Sequence, residues 1–162
     1  MRLEIAAGKN PQMRGESWFY HDQMPYDHIH FICDWSSIPD YMMYLRVTEF
    51  EDLYCRHFIE HLDPAHGEEF IRMCYSILRK NGTLTIVCPN MKWLCNKYLT
   101  GGYADVSEFV CWMFGGGDEQ EWSYHKTGYD CSLLCRLMRI AGFDIKSFND
   151  QGFHLEVIGV KS

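Results

Sequence analysis

An α/β fold built on a mainly parallel, twisted sheet of about seven strands is predicted by three observations on this 162-residue chain. The first is the stretch EFEDLYCRHFIEHLDPAHGEEFIRMCYSILRKNGTLTIVCP, ending at Pro89, which reads as strand, helix, strand and so implies a right-handed crossover between parallel strands. The second is a series of short apolar runs ahead of it, each closed by a glycine or an acid. The third lies at the other end. Phe143 to Asn149 and Phe153 to Val160 flank Asp150-Gln151-Gly152, an antiparallel hairpin that inserts the one antiparallel strand.

Leu3 to Ala7 is the first strand, opening into a turn at Gly8-Lys9-Asn10-Pro11. Ser17 to His21 follows and ends at Asp22; about ten residues between the two runs leave little room for a crossover helix. Ile29 to Cys33 is a third strand, ending at Asp34-Trp35, and Pro39 to Thr48 suits either a short helix or a loop. In the central unit, Leu53, Tyr54 and Cys55 are too few for a helix and suit a buried strand. Asp63-Pro64 is an N-cap acceptor followed by proline at the first helical position. Phe70, Met73, Cys74, Ile77 and Leu78 then recur at steps of three and four, and Lys80-Asn81-Gly82 is expected to close the helix, with Gly82 free to take a positive φ. Thr83 to Cys88 is a β-branched strand stopped by Pro89. Asn90 caps a helix to Leu99, Ala104 to Phe114 reads as another, and Gly115 to Asp118 as a break. Asp130 caps the last helix, apolar at Leu133, Leu134, Leu137, Met138 and Ala141.

Composition narrows the function. One domain over residues 1–162 is expected, and 47% hydrophobic residues suffice for one core. The net charge of −7, with no basic run, argues against a nucleic-acid partner. No apolar stretch reaches the roughly 20 residues of a membrane span, and MRLEIAAGKN does not read as a signal peptide. Eight cysteines with no C-x-x-C pair sit in apolar patterns, as at Cys33, Cys55, Cys74, Cys88 and Cys135, and read as small buried hydrophobes of a reducing compartment. A cytoplasmic location is expected.

In open α/β sheets ligands bind outside the carboxyl ends of the strands. Gly8, Asp22 and Asp34 close the first three strands and are expected to converge there. Asp22 is placed to accept from a ribose diol, and Asp34 from an exocyclic amine, with Trp35 as a flat neighbour. One glycine offers no phosphate cradle, so a nucleoside without phosphates fits best.

LEIAAGKNP at Leu3 to Pro11 and EDLYCRHFIEHL at Glu51 to Leu62 carry a family likeness. They resemble the first-strand (GKxP) and fourth-strand (HxLEHL) signatures of small class I S-adenosylmethionine-dependent methyltransferases. Trp18 to Asp22, IRMCYSILRKNGTLTIVCPN at Ile71 to Asn90, and YHKTGYD at Tyr124 to Asp130 with the following helix to Phe143 are similar to further family motifs, so the likeness covers nearly the whole chain. It implies a Rossmann-like methyltransferase fold with S-adenosyl-L-methionine as cofactor. Glu4, Ala6, Ala7 and Gly8 would meet the methionine moiety, Asp22 the ribose, Asp34 and Trp35 the adenine, and Cys55, Arg56 and His57 the region of the sulfonium. His57 and His125 are the candidate catalytic bases; the alternatives are that His57 packs over the cofactor and His125 orders a loop. The aromatic and acidic stretch from Trp112 to Tyr129 would form the wall for an acceptor, expected to be a small molecule or a sugar. The chain departs from the family pattern at Ala6, where a glycine is usual, and lacks the usual N-terminal helices. An apolar sheet face would then be left for a homodimer partner to cover.

Two other readings compete. A cofactor-binding subunit without transferase activity would account for the altered glycine. His57-Phe58-Ile59-Glu60-His61 is also H-x-x-E-H, a zinc-hydrolase pattern in which two histidines share a helical face and Glu60 activates water. The methyltransferase reading instead has no metal in the site and makes Glu60 and His61 structural.

Overall fold

The computed structural model describes residues 1–116 and 121–162. Gly117 and Asp118, half of the expected glycine break, lie outside the described residues; Gly115 and Gly116 both take positive φ. Seven strands, β1 (Arg2–Ile5), β2 (Trp18–Asp22), β3 (Phe31–Ile32), β4 (Phe50–Arg56), β5 (Leu78–Pro89), β6 (Phe143–Asn149) and β7 (His154–Lys161), form one sheet. Its order is β3-β2-β1-β4-β5-β7-β6, and β7 runs antiparallel to both neighbours while the β3-to-β5 pairings are parallel. The terminal hairpin therefore inserts the single reversed strand, as its turn residues predicted.

Period-two alternation decides which face is core. Leu53 and Cys55 on β4, Leu84, Ile86 and Cys88 on β5, and Leu155 and Val157 on β7 are buried together. Three helices complete that core: α1 (Ile38–Leu45) with Ile38 and Met42, α2 (Pro64–Ile77) with Phe70, Ile71, Cys74 and Ile77, and, as the last helix, Cys131–Ile140 with Leu134, Cys135 and Met138. Each large apolar side chain so buried contributes roughly 1.5–3 kcal/mol. The ambiguous Pro39 to Thr48 segment is thus helical to Leu45, where Arg46 closes it in the left-handed region at φ +57°. Two further helices, α3 (Met91–Leu99) and α4 (Val106–Phe114), pack on each other and leave the last helix as α5. Asn90, Asp105 and Asp130 cap α3, α4 and α5 by accepting from backbone N–H groups.

Two expectations are corrected. The helix does not run on to Lys80-Asn81-Gly82. It stops at Ile77, because Leu78 turns extended to pair with Phe50 at the start of β5. The charge at that helix end comes from Lys161, whose Nζ donates to the Leu78 carbonyl at 2.6 Å. Residues 79–82 form an irregularity in the ladder where Asn81, not Gly82, holds the positive φ (+62°). Gly82 is needed for close approach instead: a Cβ there would stand 2.8 Å from the Glu51 carbonyl oxygen and 2.9 Å from that of Arg79.

The other sheet face is mixed, with Trp18, Tyr20, Ile32, Ile158 and Val160 among polar residues. Asp52 and Tyr54 on β4 and Thr83 and Thr85 on β5 point there and are half-buried. Arg2 pairs with Asp52 at 2.8 Å, and the Thr83 hydroxyl donates to the same carboxylate. Exposed apolar side chains occur on the strands, at Ile32 and Phe148, and also on α1, at Met43 and Tyr44, and on the α3–α4 pair, at Leu99 and Phe114. All eight cysteines are free thiols, and among the described residues no helix is long and apolar enough to cross a membrane.

Replacing Gly82 with alanine should destabilise the chain by about 1–3 kcal/mol through overpacking at backbone. Asn81→Gly should stay within about 1 kcal/mol of the parent, because glycine accepts the left-handed conformation freely. Urea midpoints of the two variants measure both effects, and the reverse ranking would contradict the assignment of the turn.

Candidate functional site

The carboxyl ends of β1 and β4 adjoin, in register from Arg2–Asp52 to Ile5–Cys55, and the chain leaves both by left-handed turns. Ala6 sits at φ +55° and His57 at φ +51°. For a β-carbon-bearing residue this conformation costs about 1–2 kcal/mol, so both turns are imposed by their surroundings. At His57 the N–H donates to the Val87 carbonyl of β5 at 2.9 Å. At the first turn, Ala7 N–H donates to the His21 carbonyl at 2.9 Å, and Ala6 N–H approaches His21 Nδ1 at 3.4 Å.

Between the turns lies an open cleft of about 350 Å³ lined by Glu4, Ala6, Ala7, Asn10, Gln12, Arg56 and His57. Glu4 is 2% exposed, and its two carboxylate oxygens accept from the Gln12 and Met13 N–H groups at 2.8 Å each. Burial pushes its pKa upward, against the pull of those two bonds. Arg56 donates to the Gln12 side chain at 2.8 Å and reaches His154 at 3.4 Å. The cleft thus presents one carboxylate and one guanidinium, joined through Gln12. His57 directs Nδ1 at Glu60 Oε1, 3.1 Å away, which makes Nδ1 the donor and, in the neutral ring, Nε2 the base. Its ring lies edge-on to His154, with centroids 4.9 Å apart.

Five of the predicted site residues, Glu4, Ala6, Ala7, Arg56 and His57, therefore line one cleft. Gly8 and Asp22 sit beside it: Asp22 accepts from Gly8 N–H and from Met24 N–H, each at 2.9 Å. Four predicted residues are placed otherwise. Cys55 is 1% exposed with its side chain in the core, where burial raises the thiol pKa well above its ordinary value. Trp35 is also a core residue, packed edge-on to Phe70 with ring centroids 5.7 Å apart, because the turn Trp35–Ser37 folds it inward. Asp34 is exposed and caps that turn through Ser36, with Gln23 as a further donor. His125 does not line the cleft; its ring is 4.9 Å from that of His61.

The sequence reading passed over Asn10, Gln12 and His21. Gln12 and Asn10 follow the glycine turn, so proximity to Gly8 was the available signal. His21 had none: it is buried, its Nε2 lies 3.0 Å from the Cys33 carbonyl, and Nδ1 faces Ala6 N–H. Those two partners require Nε2–H as donor and Nδ1 as acceptor, a neutral ring that braces the Ala6 turn.

The H-x-x-E-H pattern is not on an α-helix. His57 ends β4, and Ile59–His61 is a single tight turn, so the shared helical face of a zinc hydrolase is absent. Residues 117–120 of the expected acceptor wall lie outside the described residues. The part that follows is tied to β4 by Lys126 and Thr127, whose N–H groups both donate to the Glu60 carbonyl at 2.8 and 3.1 Å.

The sheet order, the terminal hairpin and a cleft at the carboxyl ends of the central strands define a Rossmann-like methyltransferase fold. The sequence matches no protein-family model, and no curated protein is similar to it. Solved structures are similar over 99% of the chain in each of three cases. A 1,6-didemethyltoxoflavin-N1-methyltransferase from Burkholderia thailandensis, with bound 1,6-didemethyltoxoflavin and S-adenosylhomocysteine, superposes with a TM-score of 0.64, at 12% identity over 70% of its length. A SAM-dependent methyltransferase from Archaeoglobus fulgidus gives 0.57, at 18% identity over 85% of its length. An O-methyltransferase family protein from Burkholderia thailandensis gives 0.58, at 11% identity, and this chain spans only half of it.

The His21 brace makes stability fall with acid. Desolvation holds its pKa below the ordinary value of 6.5, as it does for His125 and His154. The unfolded chain then binds more protons, and stability present above pH 6.5 is lost as the pH falls through the folded values. Glu4, whose pKa is raised, acts with the opposite sign, in a window opening at 4.5. Urea midpoints should drop from pH 7.5 to 5.5, and His21→Gln should flatten that dependence. A profile with the parent's slope would remove His21 from this role.

Proposed function

We propose that this chain is an S-adenosylmethionine-dependent methyltransferase whose cofactor occupies the cleft above β1 and β4. The observation that carries the reading is the convergence of Glu4, Ala6, Ala7, Arg56 and His57 on one cleft beside Asp22, at the carboxyl ends of a sheet in the methyltransferase order. A carboxylate and a guanidinium lining the same space suit the two charges of an amino-acid moiety, which is the test of fit for the methionine end. Asp22 already accepts two N–H bonds and keeps lone pairs for ribose hydroxyls. The cofactor would supply an activated methyl group for in-line displacement by an acceptor oxygen or nitrogen.

The protein's part is to orient and to move one proton. His57, turned by Glu60 so that Nε2 is unprotonated, takes the proton from the acceptor as the new bond forms. Glu60 holds the ring in that tautomer and stabilises the imidazolium that results. His125 is assigned no proton transfer here. The acceptor is a small molecule or a sugar approaching from the side of Tyr124 to Tyr129. Free cysteines, half of them buried, suit a cytoplasmic setting.

A binding subunit without turnover is the second reading, and one observation favours it. Ala6, at φ +55°, brings a methyl group and backbone strain to the wall of the cleft.

Calorimetric titration with S-adenosylhomocysteine tests the cofactor assignment. Asp22→Ala should weaken binding at least about tenfold, since a charged hydrogen bond contributes roughly 1.5–3 kcal/mol. No heat of binding with the parent chain would overturn the proposal. Ala6→Gly should bind at least as tightly as the parent, and weaker binding would show that the methyl group is a contact rather than an obstacle. Once an acceptor is found, His57→Ala should lower kcat by about 10²–10⁴-fold with cofactor affinity little changed. Undiminished kcat would leave His57 as packing.

A further inference from the structure

We propose that Glu60, His61 and His125 form a binding site for one divalent transition-metal cation beside the cleft; it shares Glu60 with His57, but the proposal does not rest on the methyl-transfer reading. One potential ligand atom from each of these residues lies within 4.8 Å of the others. Ligand atoms around a tetrahedral zinc at about 2.1 Å stand roughly 3.4 Å apart. Closure therefore asks for a contraction of at most about 1.4 Å, within reach of side-chain rotation, as the two histidines are partly exposed.

Each prospective ligand is held from behind. Glu60 is 2% exposed, and while Oε1 meets His57 Nδ1, Oε2 is buried with no hydrogen-bond partner. A buried carboxylate oxygen without a donor is costly, and a cation is the partner that removes the cost. His61 places Nδ1 3.2 Å from the Tyr124 carbonyl oxygen. A carbonyl accepts only, so Nδ1 is the donor there and Nε2 is the nitrogen of the neutral ring that can ligate. The His125 backbone N–H donates to the Phe114 carbonyl at 2.8 Å, which seats that residue. The carbonyl behind the His61 imidazole is an outer-shell partner of the kind that orients metal-binding histidines.

The backbone brings the set together. Glu60 and His61 are adjacent on the turn after β4, while His125 comes from the loop before α5. The Glu60 carbonyl, by accepting from Lys126 and Thr127, fixes that loop one residue past His125. Two imidazoles and one carboxylate select zinc, cobalt, iron or nickel over magnesium or calcium, which prefer all-oxygen sites. Three protein ligands leave a coordination position for water or another ligand. The site uses Glu60 and His61 of the H-x-x-E-H pattern but replaces its first histidine by His125, so it is not the hydrolase arrangement.

The test uses the full chain, treated with chelator and titrated with cobalt chloride by visible absorption and with zinc chloride by calorimetry. One equivalent should bind with a micromolar or tighter dissociation constant, and the cobalt spectrum should lack the intense near-ultraviolet band of thiolate ligation. His61→Ala and His125→Ala should each weaken binding at least about tenfold. His66→Ala, an exposed histidine paired with Asp63, should leave it unchanged. No binding by the parent chain, a thiolate band, or undiminished affinity in both histidine variants would overturn the proposal. Circular dichroism checks that the variants fold; if neither does, the parent's stoichiometry and cobalt spectrum decide alone. S-adenosylhomocysteine takes no part, so a negative result here leaves the cofactor reading standing.

Discussion

A buried carboxylate in the tight turn after the fourth strand organises the functional edge of this protein. Glu60 is almost without solvent, and a charge in that position is tolerated only if its surroundings answer it. Its side chain orients His57 in the cleft, and its backbone carbonyl anchors the loop at Lys126 and Thr127. The Thr127 hydroxyl adds a bond to the Leu62 carbonyl at 2.8 Å. One residue thus couples the end of β4, the cleft base and the segment leading into α5. Moving it would disturb all three.

The cleft itself is assembled from groups that first satisfy the fold. Glu4 and Asp22 spend hydrogen bonds on loop N–H groups, Arg56 on Gln12, and His21 on the Ala6 turn. This makes the site rigid before any ligand arrives, which lowers the ordering cost of binding. It also explains how two non-glycine residues persist at positive φ. The neighbouring strands hold Ala6 and His57 from both sides, as strained residues at sites require.

The sheet solves its two faces differently. One takes α1, α2 and α5 and carries the apolar core; the other mixes Ile158 and Val160 with half-buried Asp52, Tyr54, Thr83 and Thr85, of which Asp52 is paired with Arg2 and Thr83. An antiparallel sheet with one wet face is common, whereas parallel strands are usually covered on both sides. Here the alternation of β4 places polar groups outward while the strands stay parallel, so solvent contact on that face is tolerated.

Much of this was legible in the residues. Period-two and period-3.6 patterns, the Asp63-Pro64 start and the Asp150-Gln151-Gly152 turn are local signals, and they determined the α/β class, the helix starts and the terminal hairpin. The cleft residues Glu4, Ala6, Ala7, Arg56 and His57 were legible because they follow two strands that a parallel fold must bring side by side. What tertiary structure alone decided depends on contacts between distant segments. Leu78 leaves the helix because Phe50 pairs with it, and Lys161 rather than Lys80 answers the helix end. Cys55 and Trp35 face the core, not the cleft, since strand register and an inward turn choose the face of each side chain. His21 braces a turn fifteen residues earlier, and His125 meets His61 only because a backbone carbonyl holds its loop there. Local pattern records which residues want burial or a turn; it does not record which partner across the sheet will supply it.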